Sequence, residues 1–175
     1  MAIYNGKHCV FEMVGVESSS FQWNPASNKD ADNCYNNWNI SKMRNTTLPA
    51  HLLLLSSALQ DNLTTTTIQT ATNGNNGTLV STSDKLFLAA EKEMKTSPNM
   101  ARTEENNALT TWGYWTTHTT SSDRIKYNPT STAQSYWLRS PYTGATIYVV
   151  YVGGDGGFNG RNADLSLYVS PCFAF

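Results

Sequence analysis

The chain has 175 residues, a formal net charge of −1 and 14% charged residues, against about 25% in an ordinary soluble domain. That length suits one domain over residues 1–175, and the balanced charge offers no global field to draw in nucleic acid or an anionic membrane. No window of about 18 residues is apolar enough for a spanning helix, and the first seven residues carry no apolar stretch of an export signal.

The polar content is Asn, Thr and Ser rather than Lys and Glu. Such side chains hydrogen-bond to their own backbone and favour turns and strands over helices. Residues 9–14 predict a strand, and Ser18-Ser19-Ser20 and Asn24-Pro25 predict turns. In residues 38–44 apolar side chains recur at spacings near three. This predicts a short helix, capped at Asn36 or Asn37 and stopped before Pro49. Residues 51–55 with Leu59 predict a second short helix. The Thr/Asn/Gly tract at 61–83 predicts a hairpin or a long surface loop. Residues 84–94 predict a strand at Leu86 to Leu88 running into a helix, and residues 97–108 predict a polar loop. The last third reads as all-β. Residues 112–116 alternate bulky and small, 135–141 form a strand ended by proline, and 146–152 are β-branched and aromatic throughout. Residues 153–157 form a glycine turn, and 167–169 and 172–175 close the chain as strand.

Motifs that would carry catalysis are missing from this pattern. His8, His51 and His118 are isolated, and neither a metalloprotease helix motif nor a nucleophile elbow occurs. The glycines at 153–157 follow a strand but lack a phosphate-loop pattern, and no helix follows them. Asp155 and Asp164, with Asn159 and Asn162, could offer oxygen ligands to calcium. Their spacing fits no EF-hand loop, and turn chemistry explains them. Glu104 and Glu105 read as a loop pair, and Glu91 and Glu93 as a solvated helix face, so no acid–base dyad emerges. Cys9, Cys34 and Cys172 are odd in number and far apart. They read as free thiols, with a Cys9–Cys34 bridge as the alternative. The expectation is a protein that is not an enzyme and needs neither metal nor cofactor.

The carboxy-terminal segment differs in composition. Six of the eleven glycines lie between 144 and 160, interleaved with Tyr142, Tyr148, Tyr151 and Phe158 and followed by Tyr168. Tyr with Gly, Ser and Asn is the composition of antibody-type binding loops. Val149, Val150 and Val152 read as core. In residues 158–168 apolar residues sit at irregular intervals in what reads as a polar loop, which points to a binding surface. All 27 Lys, Trp, Met, Glu and Gln residues lie at or before Trp137, whereas even scatter would put about six of them in the final 38 positions.

Three stretches carry a family resemblance. They are Trp38-Asn39-Ile40-Ser41-Lys42-Met43-Arg44, then Ser83-Asp84-Lys85-Leu86-Phe87-Leu88-Ala89-Ala90-Glu91, and Tyr136-Trp137-Leu138-Arg139-Ser140-Pro141 running to Val169-Ser170-Pro171-Cys172-Phe173-Ala174-Phe175. Over roughly residues 30–175 the chain resembles the DUF6273 family of gut bacteria and their phages, whose members often end a longer surface or tail protein. The resemblance implies an α+β, C-type lectin-like fold of short antiparallel strands with two main helices. It also implies a variable protein of a diversity-generating retroelement. Such elements mutate template adenines, typically turning AAC or AAT codons into NNY, which encodes every residue type except Lys, Trp, Met, Glu and Gln.

On that resemblance the variable region is about 138–169. Its diversified, ligand-binding positions are Tyr142, Thr143, Tyr148, Tyr151, Gly153, Gly157, Phe158, Gly160, Arg161, Leu165, Leu167 and Tyr168. Trp137, Leu138, Arg139, Ser140, Pro141, Asp155, Gly156, Ala163, Ser166, Pro171 and Phe173 read as scaffold. The arginine usual before the terminal proline is Ser170 here. Tyr148, Tyr151, Phe158 and Tyr168 are expected to be partly exposed and to share one face. The implied partner is a protein or glycan ligand on a cell surface, with no nucleic acid and no membrane insertion, and with homo-oligomers where the domain is mounted on a fibre. No location follows from the sequence itself; where the chain is part of a larger protein, the resemblance implies a phage virion or bacterial cell surface. The alternative is a fixed carbohydrate-binding or adhesion domain of the same fold. An enzyme of the formylglycine-generating type would need a close reactive cysteine pair, and Cys172 has no neighbour in sequence.

Overall fold

In a computed structural model the chain is described over residues 2–5 and 8–175, with side chains from Cys9 onward. The side chain of His8 therefore lies outside the described residues. Among the described residues, twelve short strands and five short α-helices alternate irregularly. The strands are β1 (Ala2–Asn5), β2 (His8–Glu12), β3 (Phe21–Gln22), β4 (Thr66–Ala71), β5 (Leu79–Asp84) and β6 (Lys126–Tyr127), followed by β7 (Ala133–Gln134), β8 (Tyr136–Pro141), β9 (Tyr148–Val152), β10 (Phe158–Asn162), β11 (Ser166–Leu167) and β12 (Cys172–Ala174). The helices are α1 (Leu48–Leu52), α2 (Ser57–Asn62), α3 (Glu91–Met94), α4 (Thr103–Ala108) and α5 (Gly113–Thr117). This is a mixed α+β chain of small antiparallel sheets.

The expected two main helices are replaced by five of four to six residues each. Helices this short are marginal alone and are held by packing. The Asn/Thr/Ser content gives no run long enough for a sustained apolar stripe.

The first sheet has the order β1-β2-β12, so the last strand pairs with the second and fastens the chain's two ends together. The second has the order β10-β9-β8. All six residues of β8 are buried, because that strand is covered on both faces. Its indole partners bind back to the chain's first third. Trp137 Nε1 donates to the Phe21 carbonyl at 2.9 Å, and Trp23 Nε1 donates to the Leu138 carbonyl at 3.0 Å. One hydrophobic cluster runs from Val10 to Ala174, with Trp23, Trp38, Trp115, Trp137, Phe87 and Met43 fully buried in it.

Several local expectations change. The region 38–52 is nearly continuous helix, as a 3-10 turn (Trp38–Ile40), a π-turn (Met43–Thr47) and α1. Asn37 caps its start, accepting from the Asn39 amide at 3.0 Å. Pro49 does not stop it, because it sits in the first turn of α1, where a missing N–H costs nothing. Residues 103–108 form α4 rather than loop. Residues 113–117 form α5 rather than strand, since Trp112 and Trp115, three apart, bury one helical side. At Leu86 to Leu88 a single bridge, Phe87 to Cys172, replaces the expected strand. Residues 158–162 are strand β10 rather than loop. The tract at 61–83 does contain a hairpin, β4 with β5. All three cysteines are free. Burial, with the charges of Asp30 and Asp32, pushes the Cys34 thiol up to about 11, and burial pushes the Cys172 thiol well above its ordinary range.

Candidate functional site: an exposed edge strand on a buried polar frame

Strand β10 is the outer edge of its sheet, so side chains on both of its sides reach solvent. Its register pairs Phe158 with Val152, Gly160 with Val150 and Asn162 with Tyr148. The pleat therefore puts Tyr148, Gly160 and Phe158 on one face, and Tyr151 and Arg161 on the other. The four rings expected on a single face straddle the edge instead, because alternation along a strand separates positions 148 and 151.

Eleven of the twelve predicted binding positions are at least partly exposed, Tyr148 at 42% and Leu165 at 44%. The exception is Leu167, which is 7% exposed and packs in the core where β11 pairs with β3. Its place among diversified surface positions is withdrawn. Tyr142 joins Tyr148 edge-on at 6.4 Å and covers Gly160, where an added Cβ would meet the Tyr142 ring. Tyr151 stands edge-on to Trp137 at 6.4 Å, and Tyr168 lies beside Tyr136. Two cations lie over the Phe158 ring, the Arg124 guanidinium 4.7 Å and the Lys95 ammonium 5.3 Å from its centroid. Gly153 and Gly157 form the β9–β10 turn. Asp155, exposed, holds that turn by accepting from the Gly157 amide at 2.9 Å.

The loop between β8 and β9, residues 142–147, is anchored by residues from earlier in the chain. Asn36 Nδ2 donates to the carbonyls of Ala145 and Tyr148, each at 2.8 Å. The Gly144 amide donates to the Gly74 carbonyl, the Thr143 amide to Met100 and the Tyr35 amide to Thr146. A Cβ at Gly74 would overlap the carbonyl oxygens of Ala145 and Tyr142. Asn73, fully buried, donates to both Asp30 and Asp32. None of these anchors has a signature in sequence beyond a general richness in Asn and Gly.

Behind the surface lies a buried polar frame that the sequence reading missed. Arg139 forms a two-pronged pair with Glu93, at 2.6 Å and 2.7 Å, and also donates to the Leu88 carbonyl at 2.6 Å. Ser140 donates to Glu105, which also accepts from the Ala71 amide at 2.8 Å. Glu91 accepts from the amides of Asn99, Met100 and Ala101. All three carboxylates are buried, so neither the solvated-face reading of Glu91 and Glu93 nor the loop reading of Glu104-Glu105 holds for them. Short polar helices hid this, because an acidic residue facing inward looks the same in sequence as one facing water. Near the chain's end, Lys126 Nζ reaches Ser170 and Glu12, each at 2.5 Å. A cation thus stands beside the position where the resemblance implies arginine.

No curated protein and no solved structure matches the sequence. The DUF6273 family, described as a domain of unknown function, matches over residues 17–175, from the loop before β3 to the last residue, and so takes in the frame and the edge strand together. With nearly the whole chain matched, this protein belongs to the DUF6273 family.

Proposed function

We propose that the β9–β10 edge and its flanking loops are a ligand-binding surface diversified by a retroelement, carried on a C-type lectin-like scaffold. The observation that carries this reading is the sorting of residues within 138–169. Val149, Val150, Val152, Ala163 and Val169 are fully buried, whereas Tyr142, Thr143, Tyr148, Tyr151, Gly153, Gly157, Phe158, Gly160, Arg161, Leu165 and Tyr168 reach solvent. A surface that varies while its core stays fixed needs this separation. The absence of Lys, Trp, Met, Glu and Gln after Trp137 is the residue set that adenine-directed NNY mutagenesis leaves out.

Binding would rest on aromatic area and shape. Tyr and Arg are the residue types that dominate interface hot spots. The chain's low charge limits electrostatic steering. The partner is a protein or glycan on a cell surface, and the domain works without catalysis. Sequencing the locus across a population of the source organism tests this. Substitutions should concentrate at the eleven exposed positions, match adenines of a near-copy repeat, and spare Leu167 and the five buried residues. Identical siblings at these positions would refute it.

A further inference from the structure

The β4–β5 hairpin has one edge that the fold answers and one that it leaves open. The Thr72 amide donates to the Thr78 carbonyl at 2.8 Å, so these two residues form a hydrogen-bonded pair beside the turn. Bonded and non-bonded pairs alternate along an antiparallel ladder, and the register runs unbroken from Ala71 with Leu79 to Thr66 with Asp84. The main-chain groups of Thr67, Gln69 and Ala71 therefore point away from β5, and those of Leu79, Ser81 and Ser83 point away from β4. On the β4 side the buried frame meets the row. The Gln69 carbonyl accepts from Arg139 at 3.4 Å, and the Ala71 amide donates to Glu105 at 2.8 Å. On the β5 side, no strand, bridge or hydrogen bond among the described residues reaches the N–H and C=O groups of Leu79, Ser81 and Ser83, and both serines are exposed.

Proteins blunt open edges with charges, prolines or bulges. From Leu79 to Ser83, β5 has none of these. The edge of β10 differs, because it closes part of its own row. There the Gly160 amide donates to Asn159 Oδ1, and the Asn162 carbonyl accepts from the Leu165 amide.

A recess adjoins the Asp84 end of β5. It measures about 200 Å³, the scale of one side chain rather than of a drug-sized ligand. Leu48, Pro49, Leu52 and Leu86 form its apolar walls. The charges of its lining are Arg44, Asp84 and Lys85. Arg44 Nε pairs with Asp84 at 3.0 Å, and Lys85 Nζ gives one N–H to the Gln60 carbonyl at 2.7 Å, which leaves one positive charge with N–H groups to spare. An open main-chain row beside a side-chain pocket supplies both parts of strand-addition recognition. Backbone pairing gives affinity, and pockets for alternate side chains give specificity. A second copy of this chain fits poorly. Pairing β5 with itself about Ser81 brings Thr78 and Gly77 of the second copy past Asp84 and Lys85, and neither fills an apolar recess.

We infer that β5 binds an extended segment of another protein, added as a further strand, with an apolar side chain in the recess and a neighbouring carboxylate that meets Lys85. The site lies outside residues 138–169 and does not depend on their diversification.

The test is an NMR titration of the full chain with capped hexapeptides of alternating Val and Thr that carry a central Leu, Val or Phe followed by Glu, with a central Ser as the control. At least one apolar peptide should move the Leu79, Ser81 and Ser83 amides along a saturating curve and slow their hydrogen exchange. N-methylation of its alternate residues should weaken binding about tenfold in one phase and be tolerated in the other, because only every second residue of an added strand faces β5. Ser81→Pro removes the central open N–H, leaves the β4 ladder intact and should abolish the response. Should Ser81→Pro fail to fold, the methylated peptides decide alone. The inference is overturned if no apolar peptide moves these amides, if the Ser control moves them equally, or if both methylation phases bind like the parent. It also fails if the chain alone dimerises and Ser81→Pro makes it monomeric, since the occupant is then a second copy.

Discussion

Glu105 is fully buried between the Ala71 amide and the Ser140 hydroxyl. Burial pushes its pKa up to about 7, against the opposing pull of the Arg139 charge and of those two hydrogen bonds. The folded state thus holds this proton more tightly than the unfolded chain does. The resulting stabilisation is fully present below 4.5 and is lost as pH rises towards about 7. Glu105→Gln keeps the shape and removes the titration. Wild type should lose about 3 kcal/mol more stability than Glu105→Gln across that window, as read by urea unfolding on either side of it. Equal slopes would show that Glu105 is already ionised at low pH. Ser140 and Arg139 were legible as scaffold from the Trp-Leu-Arg-Ser-Pro block. Their partners Glu105 and Glu93 were not, since each lies more than thirty positions away in sequence.

At the scale of elements, the β9–β10 hairpin depends on one backbone position. Gly156 has φ of +77°, in the left-handed region, and a Cβ there would overlap the Ser121 carbonyl. Its own carbonyl accepts from Arg124 Nε at 2.9 Å. Gly156→Ala should cost ~2–4 kcal/mol, from backbone strain plus overpacking, and thermal unfolding would measure it. A loss under 0.5 kcal/mol, the range of ordinary surface changes, would show that the turn adapts. Strands were the readable elements. β8 and β9 announce themselves through aromatic and β-branched runs, and the hairpin turn between β9 and β10 through its glycines. β10 (Phe158–Asn162) did not, because its polar residues and central Gly160 follow no alternation. The helices α4 and α5 were hidden for a related reason. Their register is set by inward-facing Glu105 and Trp115, which no local pattern distinguishes from surface residues.

For the whole molecule, the consequence is a division of labour between surface and core. Replacing Tyr148, Arg161 and Leu165 together with Ser should leave the melting midpoint nearly unchanged, since each is an exposed position worth within about 0.5 kcal/mol. Leu167→Ala, only two positions beyond Leu165, should instead cost ~2–4 kcal/mol, because it opens the core beside Phe21. Differential scanning calorimetry of the two variants compares them directly. A large loss in the triple variant would mean that the edge strand is structural.

The sequence alone determined the composition-driven outcome: a low-charge chain of short strands and turns, a buried valine strand, and a Tyr/Gly-rich tail of the DUF6273 type. Those properties follow from local chemistry, from side-chain branching, backbone freedom and the residue types a segment contains. Tertiary structure decided which acidic residues turn inward, that Leu167 is core while Leu165 is surface, and that the aromatic positions straddle an edge instead of sharing a face. Each of those depends on contacts between distant segments, such as Asn36 with Ala145, Glu93 with Arg139 and β3 with β11, and a pattern read along the chain carries no record of which segments meet.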